Sequence, residues 1–230
     1  MSNWLLVVYR DWLVHIVHRL KLELLKQRYL HIDETHVQVL KEPGRKNTSD
    51  SYMWVYCSIK DAVTPIRYFE YQPGRSGKYP EAFLREYEGY IHTDAYSGYN
   101  AVSGVKRCLC YTHLRRAFVE ALPPDQKKKE RLIREKPLLE AFWSWAEKSA
   151  IGELPKSKLS KAFHYALNNR EGFWNYLEDG NCSISNSLAE NCIRPFVIGR
   201  KNWLFSGSPK GAEASAGIYT LFYLTLTAKA

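Results

Sequence analysis

Between Leu30 and Tyr71 the chain carries three apolar runs in immediate succession: Leu30 to Leu40, Tyr52 to Ile59 and Ile66 to Tyr71. Each is rich in Val, Ile, Tyr or Trp and repeats with period two, which predicts three strands in a row. The linkers, Lys41 to Asp50 with Pro43-Gly44 and Lys60 to Pro65, are short enough for hairpins, so the three strands should be antiparallel neighbours. In the middle run Tyr52, Trp54 and Tyr56 alternate with Met53, Val55 and Cys57. Both sets are apolar, which suggests a strand covered on both faces.

The segments around this meander read differently. Leu5, Val8, Trp12, Ile16, Leu20 and Leu24 recur at helical spacing, with Arg10, Arg19, Lys21 and Lys26 on a basic face, so residues 4–25 predict an amphipathic helix. After the turn Pro73-Gly74-Arg75-Ser76-Gly77, Tyr79, Phe83 and Tyr87 predict a helix that ends at Gly89. Tyr90 to Thr93 and Val105 to Tyr111 are strand candidates, the first stopping at Asp94, and His113 to Leu122 is a basic helix. The order is β-β-β-α-β-β-α. Pro123-Pro124 and Lys127-Lys128-Lys129 mark a boundary, and Arg131 to Leu177 is helical throughout, with breaks at Gly152 and Pro155. Ser185 to Ala230 returns to mixed helix and loop, broken at Gly199, Gly207 and Gly211. The expected organisation is a leading helix over 1–29, an α/β core over 30–122, an all-helical insertion over 123–184 and a return to the core over 185–230.

Composition narrows the function classes. In 230 residues, 45% hydrophobic and 14% aromatic content excludes disorder, collagen-like repeats and simple coiled coil. A formal charge of +9 favours a polyanionic partner such as nucleic acid. Five cysteines are an odd number in a chain too large to need a disulfide framework, which fits a reducing compartment and a cytoplasmic location. The apolar run Trp4 to Val8 is followed closely by Arg10 and Asp11, so neither a signal peptide nor a membrane span is expected there. Cys108, Cys110 and His113 lie within six residues of one another, but no second closely spaced Cys/His pair accompanies them and zinc is disfavoured. The two thiols are expected to fill the core.

Three acids stand at the ends of predicted elements: Asp33, Asp94 and Glu190. With the first strand central and beside the fourth, Asp33 and Asp94 would face one another, and a carboxylate from a late helix would close the group. Phosphodiester cleavage uses such a cluster to hold paired Mg²⁺ ions roughly 4 Å apart. Each acid also has a plainer reading. Asp94 could cap a helix, Glu190 lies three residues after Ser187 at capping-box spacing, and Asp33 neighbours Glu34, which must point to the opposite face.

Five sequence blocks bear on this choice. They are Leu30-His31-Ile32-Asp33-Glu34-Thr35, His92-Thr93-Asp94-Ala95-Tyr96-Ser97-Gly98-Tyr99-Asn100, and Cys110-Tyr111-Thr112-His113-Leu114-Arg115-Arg116-Ala117-Phe118, then Asn186-Ser187-Leu188-Ala189-Glu190-Asn191-Cys192-Ile193-Arg194-Pro195 and Gly199-Arg200-Lys201-Asn202-Trp203-Leu204-Phe205. In this order the chain resembles the bacterial DDE transposases of the insertion-sequence sixty-six type, along nearly its whole length. The resemblance implies a ribonuclease-H-like fold with a mixed sheet, Asp33, Asp94 and Glu190 as the catalytic triad and ligands of Mg²⁺ or Mn²⁺, and cleavage and joining of DNA at insertion-sequence ends. It further implies self-association on DNA. The chain departs from the family in beginning inside the leading helix without the upstream DNA-recognition region, in a short insertion, in Asn191 where the family has Arg, and in stopping soon after the last block. These departures make a truncated, catalytically silent DNA-binding remnant the alternative.

Arginine forks suit phosphate, so Arg115, Arg116, Arg194, Arg200 and Lys201 are the expected DNA contacts. Arg194 shares a helical face with Asn186 and Glu190 if the helix runs through Pro195. Trp203 is the aromatic expected to stack on a base. The lysine run and the aromatics Trp143, Trp145, Phe163, Tyr165, Phe173 and Trp174 read as a solvated face and helix-packing core respectively.

Overall fold

The computed structural model describes residues 3–121 and 136–227. Pro123-Pro124 and Lys127-Lys128-Lys129 lie outside them. The chain runs through α1 (Asn3–Val8), a π-helical stretch (Tyr9–Leu13), α2 (Val14–Leu25), β1 (Tyr29–Val39), β2 (Asp50–Ser58), β3 (Arg67–Gln72), α3 (Lys78–Phe83) and β4 (Tyr90–Thr93). A 3-10 turn (Ser97–Ala101), β5 (Lys106–Leu109), α4 (Tyr111–Ala121), α5 (Lys136–Ala150), α6 (Lys158–Asn168) and α7 (Arg170–Trp174) follow. The last elements are α8 (Ser187–Trp203), β6 (Phe205–Ser206) and α9 (Pro209–Thr227). Two compact units result, one formed by 1–107 with 186–230 and the other by 108–185.

The first unit is a mixed α/β structure on a sheet of order β3-β2-β1-β4-β5. β1 pairs antiparallel with β2, with Asp33 opposite Val55, and β2 pairs antiparallel with β3. β4 runs parallel to β1, and β6 adds a short parallel pairing at its far end. The period-two pattern divides cleanly between the faces. Leu30, Ile32, Trp54 and Tyr56 pack with Leu24, Phe83 and Tyr99 on one side. Val37, Val39, Met53, Val55 and Cys57 pack with Ala189, Ile193 and Phe196 of α8 and Ala212 and Ala216 of α9 on the other. β2 is therefore covered on both faces, as its sequence predicts. Burial of each large apolar side chain contributes about 1.5–3 kcal/mol.

Several elements differ from expectation. The leading helix contains a π-helical stretch, which apolar spacing does not reveal. α3 ends at Phe83 and not at Gly89; Glu86 adopts a left-handed φ of 67°. Tyr87 reaches the core from this turn. Gly199 and Gly211 do not break helices: α8 runs through Gly199 and Pro195, and α9 through Gly211. A Cβ on Gly199 would lie 2.8 Å from the Tyr219 hydroxyl, and one on Gly217 would lie 2.1 Å from the Tyr9 ring. These glycines permit close packing.

The second unit is helical after its first residues. α4 packs against α6, and α6 against α5, with Phe118 5.3 Å from Phe163 and Trp143 6.1 Å from Phe173. Trp143, Phe163 and Phe173 are buried, whereas Trp145 is half exposed beside Phe163. The helices pause over residues 151–157, at the expected Gly152 and Pro155. The unit begins at residue 108, ahead of the expected 123, because α4 turns its apolar face to α6. Cys108, Cys110 and Cys182 are buried free thiols. Among the described residues, no helix is long and apolar enough to cross a membrane.

Candidate active site

Alternation along β1 decides which of two adjacent acids faces α8. Ile32 and Trp54 point to the Tyr99 side of the sheet, and Glu34 follows their phase: its carboxylate accepts a hydrogen bond from the Tyr99 hydroxyl at 2.5 Å. Asp33 has the opposite phase, that of Val37, Val39 and Val55, and so shares a face with α8. One of its carboxylate oxygens accepts the Glu34 backbone N–H at 2.9 Å.

Asp94 follows the last residue of β4, which runs parallel to β1. Its Oδ1 accepts the Tyr96 N–H at 3.0 Å, closing an Asx turn. The 3-10 turn that follows has Tyr96 at its cap position, so Asp94 does not cap a helix. Arg107 braces the same segment by donating to the Asp94 and Tyr96 carbonyls at 2.6 and 2.8 Å. The second Asp94 oxygen lies 3.8 Å from Arg75.

Glu190 sits in the first turn of α8. The cap position belongs to Asn186, with Ser187 already helical, so the capping-box reading fails by one residue. Asn186 spends its side chain on the sheet instead. Its Nδ2 donates to the Ile32 carbonyl at 2.8 Å, and its Oδ1 lies 3.0 Å from His31 Nδ1. The ring of His31 stacks on that of His92 at 4.3 Å. Burial holds both imidazoles neutral, His31 at about 3, with the neighbouring His92 adding to the effect, and His92 at about 4. A neutral His31 can donate from Nδ1 to the Asn186 carbonyl oxygen. This buried network ties the start of α8 to β1 beside Asp33, and it sets where Glu190 stands.

Asn186→Ala would leave the Ile32 carbonyl and His31 without these partners. A cost of about 2–3 kcal/mol in chemical denaturation is expected. A cost below about 0.5 kcal/mol would mean that the network does not seat the helix.

The charges of Asp94 and Glu190 both act on Asp33. Burial raises the Asp33 carboxyl to about 7, and the charges of Glu34, Asp94 and Glu190 push in the same direction against the Glu34 N–H. Burial also raises Glu34, opposed by Tyr99 and Arg75. Arg75 is ion-paired with Glu34 at 2.6 Å. Among the described residues, no cation is ion-paired with Asp33. Asp33, Asp94 and Glu190 offer hard oxygen donors of the kind that fit Mg²⁺ or Mn²⁺.

The expected DNA contacts fall into three groups. Arg194 and Lys201 are exposed on α8. Because α8 is continuous through Pro195, Arg194 lies one turn beyond Glu190. Arg200 is engaged with β1, donating to the His36 carbonyl and to Thr35 Oγ1 at 3.3 Å. Trp203 packs edge-on against Phe196 at 5.3 Å and is partly buried. Arg115 and Arg116 are exposed on α4 of the second unit. Sequence reading gave no role to Glu34, Arg75, Tyr99, His31, His92 or Asn186. All but Arg75 lie in the quoted blocks, and period-two phasing already separates Glu34 from Asp33.

The chain is also similar to known sequences. Residues 1–129 and 120–214 match the family model described as "Transposase IS66 family". Among curated proteins, the chain is similar to three uncharacterized proteins of Sinorhizobium fredii (strain NBRC 101917 / NGR234). Protein y4hP is 24% identical over 84% of this chain and 44% of its own length. Protein y4qI is 27% identical over 82% and 43%, and y4jD 22% over 91% and 49%. The chain thus spans less than half the length of these relatives. No solved structure matches it significantly.

Proposed function

This chain belongs to the IS66 transposase family, and from that premise we propose that Asp33, Asp94 and Glu190 form the metal-dependent centre of a DDE transposase that cleaves and joins DNA strands. The observation that carries the reading is that Asp94, after β4, and Glu190, on α8, both act electrostatically on Asp33 of β1, which is ion-paired to no cation among the described residues. The strand order, with β1 between an antiparallel partner and the parallel β4, supports a ribonuclease-H-like fold.

Mg²⁺ or Mn²⁺ held by these acids would supply activation of the attacking oxygen and stabilisation of the leaving oxygen. The chain's own residues supply position. Asn186 and His31 set the first turn of α8, the Tyr96 N–H orients Asp94, and the Glu34 N–H orients Asp33. Water attacks phosphorus at an insertion-sequence end, the bond to the 3′ oxygen breaks, and a 3′-hydroxyl leaves. That hydroxyl attacks a phosphodiester of target DNA, so one P–O bond forms as another breaks and no enzyme-linked intermediate arises. Arg194 and Lys201, exposed on α8, would hold the backbone that the acids repel. A cytoplasmic protein that self-associates on DNA is part of the same proposal.

The test is cleavage of duplexes carrying the element's terminal repeats, with Mg²⁺, Mn²⁺ or Ca²⁺, and with matched RNA–DNA hybrids as controls. Nicking of DNA at the repeat end with Mg²⁺ or Mn²⁺ is expected. Binding without nicking under every condition would favour the silent DNA-binding remnant.

A further inference from the structure

The centre contains a guanidinium that neither the three acids nor the basic residues of α8 account for. Arg75 lies in the turn between β3 and α3, and three contacts fix it. Its Nε and Nη2 both lie 2.6 Å from one oxygen of Glu34. Its guanidinium lies 3.9 Å from the centre of the Tyr96 ring. Its backbone carbonyl accepts the Tyr96 hydroxyl at 2.6 Å. Glu34 is itself held by Tyr99 through its other oxygen. Glu34 has a side chain only 2% exposed, while that of Arg75 is 40% exposed. The pair is thus anchored on its buried side and open on the other.

A buried ion pair adds little net stability, since desolvation offsets the attraction. What the Glu34 carboxylate does supply is orientation. Of the five N–H donors of a guanidinium, that of Nε is given to Glu34, with Nη2 in ion-pair contact with the same oxygen. Asp94, at 3.8 Å, is too distant for a hydrogen bond. Among the described residues Nη1 has no hydrogen-bond partner, and the side chain is 40% exposed, 3.8 Å from an acid of the proposed metal centre. Positive charge held in place beside a carboxylate cluster suits an anion that must approach that cluster, and the fork matches the oxygens of a phosphodiester.

We propose that Arg75 is a phosphate-binding residue of this centre, with Glu34, Tyr96 and Tyr99 as its positioning residues, and that it takes a non-bridging oxygen of the DNA strand beside Asp94. The inference rests on the reading of Asp33, Asp94 and Glu190 as a DNA-cleaving centre. It adds a contact from the β3–α3 turn to those on α8.

The experiment measures binding of a fluorescent duplex oligonucleotide by anisotropy over a range of salt concentrations in EDTA, so that no cleavage is needed. Arg75→Ala should bind about three- to ten-fold more weakly, with a log–log salt slope smaller in magnitude by about 0.9, the value of one released phosphate contact. Arg75→Gln keeps a donor for Glu34 without the charge, and the same slope is read from it if the alanine variant fails to fold. An unchanged slope would overturn the proposal and leave Arg75 as the ion-pair partner of Glu34 only. Wild-type protein that binds DNA but never cleaves it would sink the reading of the centre and leave the Arg75 slope standing.

Discussion

Asp33→Asn is expected to abolish strand cleavage with Mg²⁺ or Mn²⁺ while leaving DNA affinity within about two-fold, because the amide keeps the size of the side chain but not the charge that holds a divalent cation. The same substitution has a signature in stability that needs no DNA. Burial and the surrounding acids hold the Asp33 carboxyl at about 7, whereas in an unfolded chain it titrates near 4. Below pH about 4 it is protonated in both states, and wild type and variant should be equally stable. As pH rises from about 4 to about 7 the unfolded chain ionises and the folded one does not, so wild type loses stability relative to the variant. Above about 7 the deficit is constant.

One pKa unit corresponds to about 1.4 kcal/mol, which sets a ceiling of about 4 kcal/mol; solvent relaxation around a half-buried group reduces this to about 1–2 kcal/mol. Thermal melts at pH 8 without metal should therefore place Asp33→Asn above wild type. Mg²⁺ should close the gap by stabilising only wild type. A variant less stable than wild type in metal-free buffer at pH 8 would show instead that Asp33 serves as a structural ion-pair partner.

The second large effect is expected from Phe196→Ala. Phe196 is fully buried under the sheet. Its ring lies 6.5 Å from Phe69 of β3, 5.3 Å from Trp203 of α8 and 5.3 Å from Tyr219 of α9. Truncation removes aromatic contacts to β3, to α9 and within α8 at once and leaves a cavity, at a cost of about 3–5 kcal/mol. Denaturant titration at pH 7 checks this. A loss below about 1 kcal/mol would mean that α8 is seated by other contacts and that the site has fold support beyond this aromatic cluster.

What the sequence discloses and what it withholds follow from which contacts are periodic. β1 to β3 are legible because Trp54 and Tyr56 face one core while Met53, Val55 and Cys57 face another, an arrangement that alternation encodes directly. The end of α3 is not legible. Tyr87 packs into the core from a turn as a helical residue would, and the left-handed conformation at Glu86 carries no glycine to announce it. Gly199 misleads for the converse reason, since its role is clearance for Tyr219 within a helix. The sequence blocks single out Asp33, Asp94 and Glu190 as the candidate acids. Asn186 is not legible, because its work is a bond to a backbone carbonyl of another element, and Arg75 is not, because its partners Glu34 and Tyr96 come from elsewhere in the chain.

The bond from Asn186 to Ile32 joins residues 154 positions apart, and it governs when the centre can exist during synthesis. β1 and β4 bring Asp33 and Asp94 out early in translation, but Glu190 follows only after the whole segment 108–185 has been made. Contacts of such long separation form late, because loop closure must be met before they gain anything. A nascent chain therefore emerges with two acids in place and the third still to be synthesised. The three-acid group is complete only once α8 has left the ribosome and docked on β1.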